Sequence, residues 1–214
     1  MKDKSNEWIS VADLMSGVMA VIMLLLVVSV VQKTQADLKH KQETEKVEAT
    51  RKKNVTEILK EIKVEAEEHG LSDLMKFSFT EGRVTLSEGL FDKGSACVPE
   101  EIARAFNNIH EIFKDFLVEN RTALIYIEGH TDSLKVNHPV TNYEKFCTVY
   151  DDNFTLSAAR AREARNLLIS SLDERDSRRV VVAGYGDSRL LEGVDSTDGR
   201  NRRVEIRLTI PAIN

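Results

Sequence analysis

The residues from Ile9 to Val31 form an almost unbroken apolar run that contains a single carboxylate, Asp13. As a helix, this run extends for about 34 Å, which is enough to cross a hydrocarbon core of about 30 Å. It is too long for the apolar part of a cleaved signal peptide, and no small-x-small site precedes the charged residues 32–41. The sequence therefore predicts a retained transmembrane helix over residues 9–31, preceded by a short tail, residues 1–8.

Asp13 needs a physical explanation, because an ionisable group inside a membrane costs about 2.5–3.5 kcal/mol. On a helix it shares one face with three small residues, Ser16, Gly17 and Ala20. Small residues beside a buried acid allow other helices to approach closely. Two interpretations follow: an anchor whose acid reaches the membrane surface, or a carboxylate that exchanges protons while it faces neighbouring helices. The second explains the small-residue face and is the one we favour.

The segment that follows, residues 32–70, is charged and predicted to be helical. Residues 32–69 contain nine Lys or Arg and nine Asp or Glu, and they contain no Pro or Gly. Apolar residues recur at steps of three and four, namely Val55, Ile58, Leu59, Ile62 and Ala66. This spacing indicates a solvated helical linker with a weak apolar seam that can pair with a copy of itself. The alternative is a charged spacer with no further role.

The remaining residues, 71–214, contain predicted strands and amphipathic helices in an order typical of one α/β domain. Strands are predicted at residues 83–87, 123–128, 180–184 and 204–210, and amphipathic helices at 99–116 and 157–172, the second beginning at a Ser157 cap. This order predicts an α/β sandwich with a mixed sheet.

The composition argues against several classes of function. A net charge of −5, with no basic run, argues against a nucleic-acid partner. His110, His130, His138 and Cys147 show no metal-ligand spacing, Ser157 has no base placed for nucleophilic chemistry, and we expect neither an enzyme nor a cofactor. If the domain is extracytoplasmic, Cys97 and Cys147 can form one disulfide; the alternative is two unpaired thiols.

Four motifs in the domain carry a family resemblance. They are Gly129-His130-Thr131-Asp132, Asn153-x-x-Leu156-Ser157-x-x-Arg160, Gly184-Tyr185-Gly186-Asp187 and Asn201-Arg202-Arg203-Val204-Glu205. Together they resemble the OmpA-like peptidoglycan-binding domain over residues 83–210. The chain differs from that family in three respects. Its loop at residues 133–152 is longer than usual, and the segment between Gly199-Arg200 and Arg202-Arg203 is shorter. The customary proline after the Gly-Tyr-Gly motif is replaced near Leu190–Leu191.

The resemblance implies that Asp132 and Arg160 bind the diaminopimelate of the peptidoglycan stem peptide. Diaminopimelate ends in an ammonium and a carboxylate, which one acid and one arginine match. Thr131, Asn153 and Leu156 are expected to line the same groove, and Arg203 to add a second cationic donor. The alternative is that Asp132 and Arg160 pair with each other and only hold a loop.

The membrane segment carries a second resemblance. Trp8 followed by Ala12-Asp13-Leu14-Met15 resembles the MotB family of stator subunits, and the whole run from Trp8 to Gly17 most resembles the MotB-like subunits of Zorya anti-phage defence systems. The resemblance implies a proton-translocating Asp13, a MotA-like partner with several membrane spans, and a homodimer. It also implies an inner-membrane protein with a cytoplasmic N-terminus and a periplasmic domain. A flagellar stator subunit and a passive membrane-to-wall tether are the alternatives.

Overall fold

The computed structural model describes residues 4–92 and 94–211. The helices are α1 (Lys4–Glu68), α2 (Glu100–Ala105), α3 (Ile109–Glu119), α4 (Tyr143–Phe146), α5 (Asn153–Ile169) and α6 (Glu174–Ser177). The strands are β1 (Met75–Ser78), β2 (Arg83–Ser87), β3 (Leu124–His130), β4 (Val180–Gly184) and β5 (Arg203–Thr209). The chain divides into two compact units between Thr50 and Arg51.

In the first unit, α1 contains the apolar run. Within the described residues it is the one helix long and apolar enough to cross a membrane. Side chains from Val11 to Thr50 are exposed within the unit. So long an apolar surface is unfavourable in water, whereas a helix satisfies its own backbone hydrogen bonds in lipid. These properties indicate a single-pass membrane protein.

The second unit is built on a mixed five-stranded sheet in the order β1-β2-β5-β3-β4. Strands β3 and β4 are parallel, and the other neighbouring pairs are antiparallel. One face of the sheet is apolar and fully buried, and it meets the apolar sides of the helices; the core includes Val84, Leu86, Ile125, Ile127, Ile206, Phe113, Phe116, Ala161 and Leu168. The expected α/β sandwich with a mixed sheet is confirmed.

The apolar seam of the charged segment has a different partner from the one expected. Val55, Leu59, Ile62 and Ala66 are buried in the core of this same domain. Leu59, Ile62 and Ala66 have no exposed area, Val55 has 7%, and Ile58 is partly buried against the same core, so the seam packs within its own domain and not against a second copy. Residues 51–68 therefore belong with the domain core, whereas the predicted domain boundary lies at residues 70 and 71.

Several predicted element bounds also differ. The helix expected over residues 99–116 is two helices, α2 and α3, interrupted at residues 106–108. The helix expected from Ser157 begins at Asn153, because Asp152 accepts a hydrogen bond from the Thr155 amide at 2.6 Å and caps it. Strand β1 was not predicted.

The two cysteines are joined: Cys97 and Cys147 form a disulfide that links residues 50 positions apart. The bridge ties Cys147, the residue that follows α4 in the long loop, to the segment before α2. Of the two alternatives that the sequence leaves open, the structure has the bridge.

Candidate functional site

Asp132 lies just beyond the end of β3 and its side chain is oriented from two sides. The Leu134 amide donates to Oδ1 at 3.1 Å, and the Arg202 guanidinium donates to Oδ2. The preceding residue is fixed by the Thr131 amide, which donates to the Gly186 carbonyl at 2.8 Å. Asp132 is 5% exposed, so its carboxylate is a buried charge held in one direction.

Arg160 reaches the same region from α5 and is 2% exposed. Its Nε donates to the Ser95 carbonyl at 2.9 Å, and its guanidinium carbon lies 5.5 Å from the centre of the Phe91 ring. Burial lowers the pKa of this arginine, which the nearby Glu88 carboxylate partly opposes. Among the described residues the Ser95 bond is the only hydrogen bond of the guanidinium, so both terminal nitrogens are available to a carboxylate.

Asp132 and Arg160 do not pair with each other. No ion pair within 4.0 Å joins them in the described part of the chain, and each is held by a different group. An acid and an arginine that are buried, separately anchored and within electrostatic reach of each other can receive an ammonium and a carboxylate at the same time. The geometry therefore favours a site over a simple loop clamp.

Arg202 is a member of this site that sequence reasoning did not single out. Its Nε lies 2.5 Å from Glu88 Oε1 while its Nη1 contacts Asp132, so one guanidinium bridges two carboxylates. These two acids raise the pKa of Arg202, and the contact with Glu88 has the largest effect. The only signal in the sequence is its place in the Asn201-Arg202-Arg203 motif.

Arg203 is placed elsewhere. Its Nε donates to Glu205 at 2.7 Å, and its terminal nitrogens donate to the carbonyls of Asn201 and Arg189. Glu205 also accepts from Arg83 at 2.6 Å. Arg203 thus belongs to an ion-pair network on the polar face of the sheet, and its contacts are not with Asp132 or Arg160.

The other three expected site residues have distinct surroundings. Asn153 donates to the carbonyls of Asp132 and Leu134, at 3.2 and 3.0 Å, and so shapes the loop that carries Asp132. Leu156 is buried. The Thr131 hydroxyl is buried without a hydrogen-bond partner among the described residues.

Close packing against α5 explains two motif glycines. A Cβ on Gly184 would lie 2.7 Å from the Ala158 amide nitrogen, and one on Gly129 would clash with the Ser157 backbone. Ser157 is not a helix cap: its hydroxyl accepts from the Gly186 amide at 2.9 Å and donates to the Phe154 carbonyl. These contacts align the ends of β3 and β4 with the start of α5, where the site lies.

One group of potential metal ligands occurs on the polar face of the sheet. Glu128, His130 and Glu205 have ligand atoms within 4.8 Å of one another. Both carboxylates already accept from arginines, Glu128 from Arg207 at 2.8 Å and Glu205 from Arg203. Burial, followed by the charge of Arg203, lowers the pKa of His130 to about 4. The surrounding cations oppose binding of another cation.

In the first unit, Asp13 has little around it. The Ser16 hydroxyl donates to the Asp13 carbonyl at 2.8 Å, and no atom lies within 4 Å of the position that a Cβ on Gly17 would occupy. Asp13, Ser16 and Gly17 are all exposed within the unit.

These features define a class: an apolar N-terminal helix joined to a two-layer α/β domain that carries a buried acid and arginine at one sheet end. Residues 90–204 match the model of the OmpA family. The match covers more than half of the chain, which therefore belongs to the OmpA family. A comparison with curated proteins finds no match.

Two solved structures share the fold. A putative MotB-like protein from Desulfovibrio vulgaris is 19% identical, with a TM-score of 0.55, over 77% of this chain and 99% of that one. The cell wall anchor of the type VI secretion system (T6SS) from Pseudomonas aeruginosa is 22% identical, with a TM-score of 0.50, over 71% of this chain and 97% of that one. At these identities the likeness establishes the architecture alone.

Proposed function

We propose that the C-terminal domain anchors this protein to peptidoglycan by binding the diaminopimelate of the stem peptide. The observation that carries the proposal is the arrangement of Asp132 and Arg160, which are both buried, are held by different groups and affect each other electrostatically. The ligand's ammonium would lie on Asp132 and its carboxylate on the terminal nitrogens of Arg160. Thr131 has a buried hydroxyl without a partner among the described residues, which suits a polar ligand atom. Membership of the OmpA family supports the same reading.

The experiment is sedimentation of the full-length protein with purified sacculi of two chemistries. Diaminopimelate-type sacculi should retain it, whereas lysine-type sacculi should retain it poorly, because lysine lacks the carboxylate that Arg160 would bind. Asp132→Ala and Arg160→Ala should each abolish retention while circular dichroism shows an intact fold. Arg175→Ala, which removes an exposed arginine from α6, is the matched control and should bind normally. Undiminished binding by both site variants would refute this assignment.

For the N-terminal unit we propose a proton-driven stator role. Asp13 would exchange protons beside a MotA-like partner with several membrane spans, in an inner-membrane homodimer with cytoplasmic N-termini and periplasmic domains. An acid in lipid is costly, and one charge crossing 100 mV is worth about 2.3 kcal/mol, which is enough to bias a packed helix interface. Anchoring to the wall would give such a motor a fixed point to act against.

Within this class we propose ZorB, the MotB-like subunit of the Zorya anti-phage defence system, with a ZorA-type partner. The support is the run from Trp8 to Gly17. A flagellar MotB-type stator subunit is the alternative within the class, and motility of a deletion strain distinguishes the two. A passive membrane-to-wall tether is the alternative outside the class, because a tether does not need Asp13.

A further inference from the structure

The disulfide joins two segments that also meet through hydrogen bonds. The first is residues 94–97, before α2, and the second is residues 146–150, in the long loop. The Ala96 amide donates to the Phe146 carbonyl at 3.0 Å, and the Ser95 hydroxyl donates to the same carbonyl at 2.9 Å. The Tyr150 hydroxyl donates to the Gly94 carbonyl at 2.6 Å. The Cys97–Cys147 bridge therefore closes a small, well-bonded junction.

This junction holds the hydrogen-bond acceptor of Arg160. The Ser95 carbonyl that receives Arg160 Nε belongs to the same peptide unit as the Ala96 amide that donates to Phe146. The Ser95–Ala96 peptide group is therefore held at its carbonyl by Arg160 and at its amide by Phe146, the residue before Cys147. The Cys97 amide also donates to the Ser95 hydroxyl, at 2.9 Å. Displacement of either segment rotates this peptide group and the acceptor with it.

We propose that the Cys97–Cys147 disulfide positions Arg160 for wall binding, so that full affinity for diaminopimelate requires the oxidised form. This inference rests on the proposed function of the domain. Without the bridge, the long loop would be held to residues 94–97 by hydrogen bonds alone, and its reduced chain would have more conformational freedom. Arg160, whose one described hydrogen bond is to Ser95, would then lose its fixed direction.

Reduction is chemically straightforward, because both cysteines are only half-buried. A dithiol such as dithiothreitol attacks one sulfur, the S–S bond breaks, and a second exchange releases the protein. Two electrons and two protons pass to the sulfurs, which gives two protein thiols and one oxidised, cyclic dithiol.

The test measures binding of a soluble diaminopimelate-containing muramyl tripeptide to the full-length protein in detergent, before and after dithiothreitol treatment. Reduction should weaken binding about tenfold or more, the loss expected when a hydrogen bond to a charged group is no longer held. The Nε–H signal of Arg160 in NMR should be protected from exchange in the oxidised protein and lose protection on reduction. A purely fold-stabilising crosslink would leave that protection unchanged in the folded protein.

Two variants separate positioning from stability. Cys97→Ala/Cys147→Ala should bind weakly whether or not dithiothreitol is present. Ile62→Ala, which removes buried core volume from α1 without touching the junction, should bind with unchanged affinity and keep the response to dithiothreitol.

The outcomes are distinct. If neither oxidised nor reduced protein binds the tripeptide, the proposed function fails. If both bind equally, the function stands and the positioning role is overturned. If reduction unfolds the domain, as circular dichroism would show, the bridge is a general crosslink and the positioning role is also rejected.

Discussion

The guanidinium of Arg202 donates to the carboxylate of Asp132 across 70 positions of the sequence. Its other side lies against Glu88, whose charge also opposes the lowering of the Arg160 pKa by burial. Arg202 therefore links Asp132 to Glu88, the acid whose charge acts on Arg160. It sets the direction of the Asp132 carboxylate and offsets the negative charge of both acids.

Replacing Arg202 with alanine should weaken binding to diaminopimelate-type sacculi. The Asp132 carboxylate would lose the donor on Oδ2, and a buried acid left without its cation costs about 1–3 kcal/mol. Arg202→Lys should restore little, because a single ammonium does not reproduce the two-sided contact of a planar guanidinium. Sacculus sedimentation and thermal unfolding, each measured on both variants, check these expectations.

Arg200→Ala is the matched control for that substitution. Arg200 is two residues away, exposed, and paired with Asp198 at 2.7 Å. Exposed pairs contribute about 0–1 kcal/mol, so this variant should bind and unfold like the parent protein. Equal binding by Arg202→Ala and Arg200→Ala would show that Arg202 does not orient Asp132.

The strands could be predicted well where their alternation is regular. Strands β2 and β4 have the bounds that the sequence indicates, because each is a short β-branched or alternating run between turn residues. The break between α2 and α3 was missed because apolar spacing continues through residues 106–108. Strand β1 was missed because its four residues, Met-Lys-Phe-Ser, give too short an alternation.

The site could be predicted only in part, for a physical reason. Asp132 and Arg160 belong to motifs with a recognised spacing, so their proximity was expected from the sequence. The roles of Glu88 and Arg202 depend on how β5 lies between β2 and β3, which no local pattern encodes. Arg202 and Arg203 are adjacent in the sequence, yet they take different directions, one to the site and one to the ion pairs of the sheet.

Ile62→Ala should destabilise the C-terminal domain strongly. Ile62 is 0% exposed and belongs to the domain core, and removal of a buried aliphatic side chain of this size costs about 2–5 kcal/mol. Val64→Ala is the control, since Val64 is on the same helix but 54% exposed, and it should change the free energy of unfolding by less than about 0.5 kcal/mol. Denaturant unfolding of the two variants measures both free energies of unfolding. Similar values would place the seam outside the core and return it to the role of a linker.

If the proposed stator role in phage defence is right, Asp13→Asn should abolish protection against phage in cells while leaving protein level and wall binding unchanged. Asparagine keeps the size and polarity of the side chain but does not exchange a proton between neutral and charged forms. Asp37→Asn is the control, because Asp37 lies on the same helix beyond the predicted span and is exposed. Protection is measured as plating efficiency in a strain that carries the neighbouring genes. Full activity of the Asp13 variant would favour the passive tether over the motor.

His130 should make the stability of the domain depend on pH. Its ring is buried, stacks on Tyr185 at 5.5 Å between centres, and has a pKa of about 4 instead of 6.5. Between these values the unfolded chain binds a proton that the folded domain does not, so stability is complete above about pH 6.5 and falls as the pH drops towards 4. The shift corresponds to about 3 kcal/mol over the window. His130→Phe, which keeps an aromatic ring, should flatten the pH dependence of denaturant unfolding there. His138→Gln, at an exposed histidine, should leave it unchanged, and an equal slope in His130→Phe would assign the pH dependence to other groups.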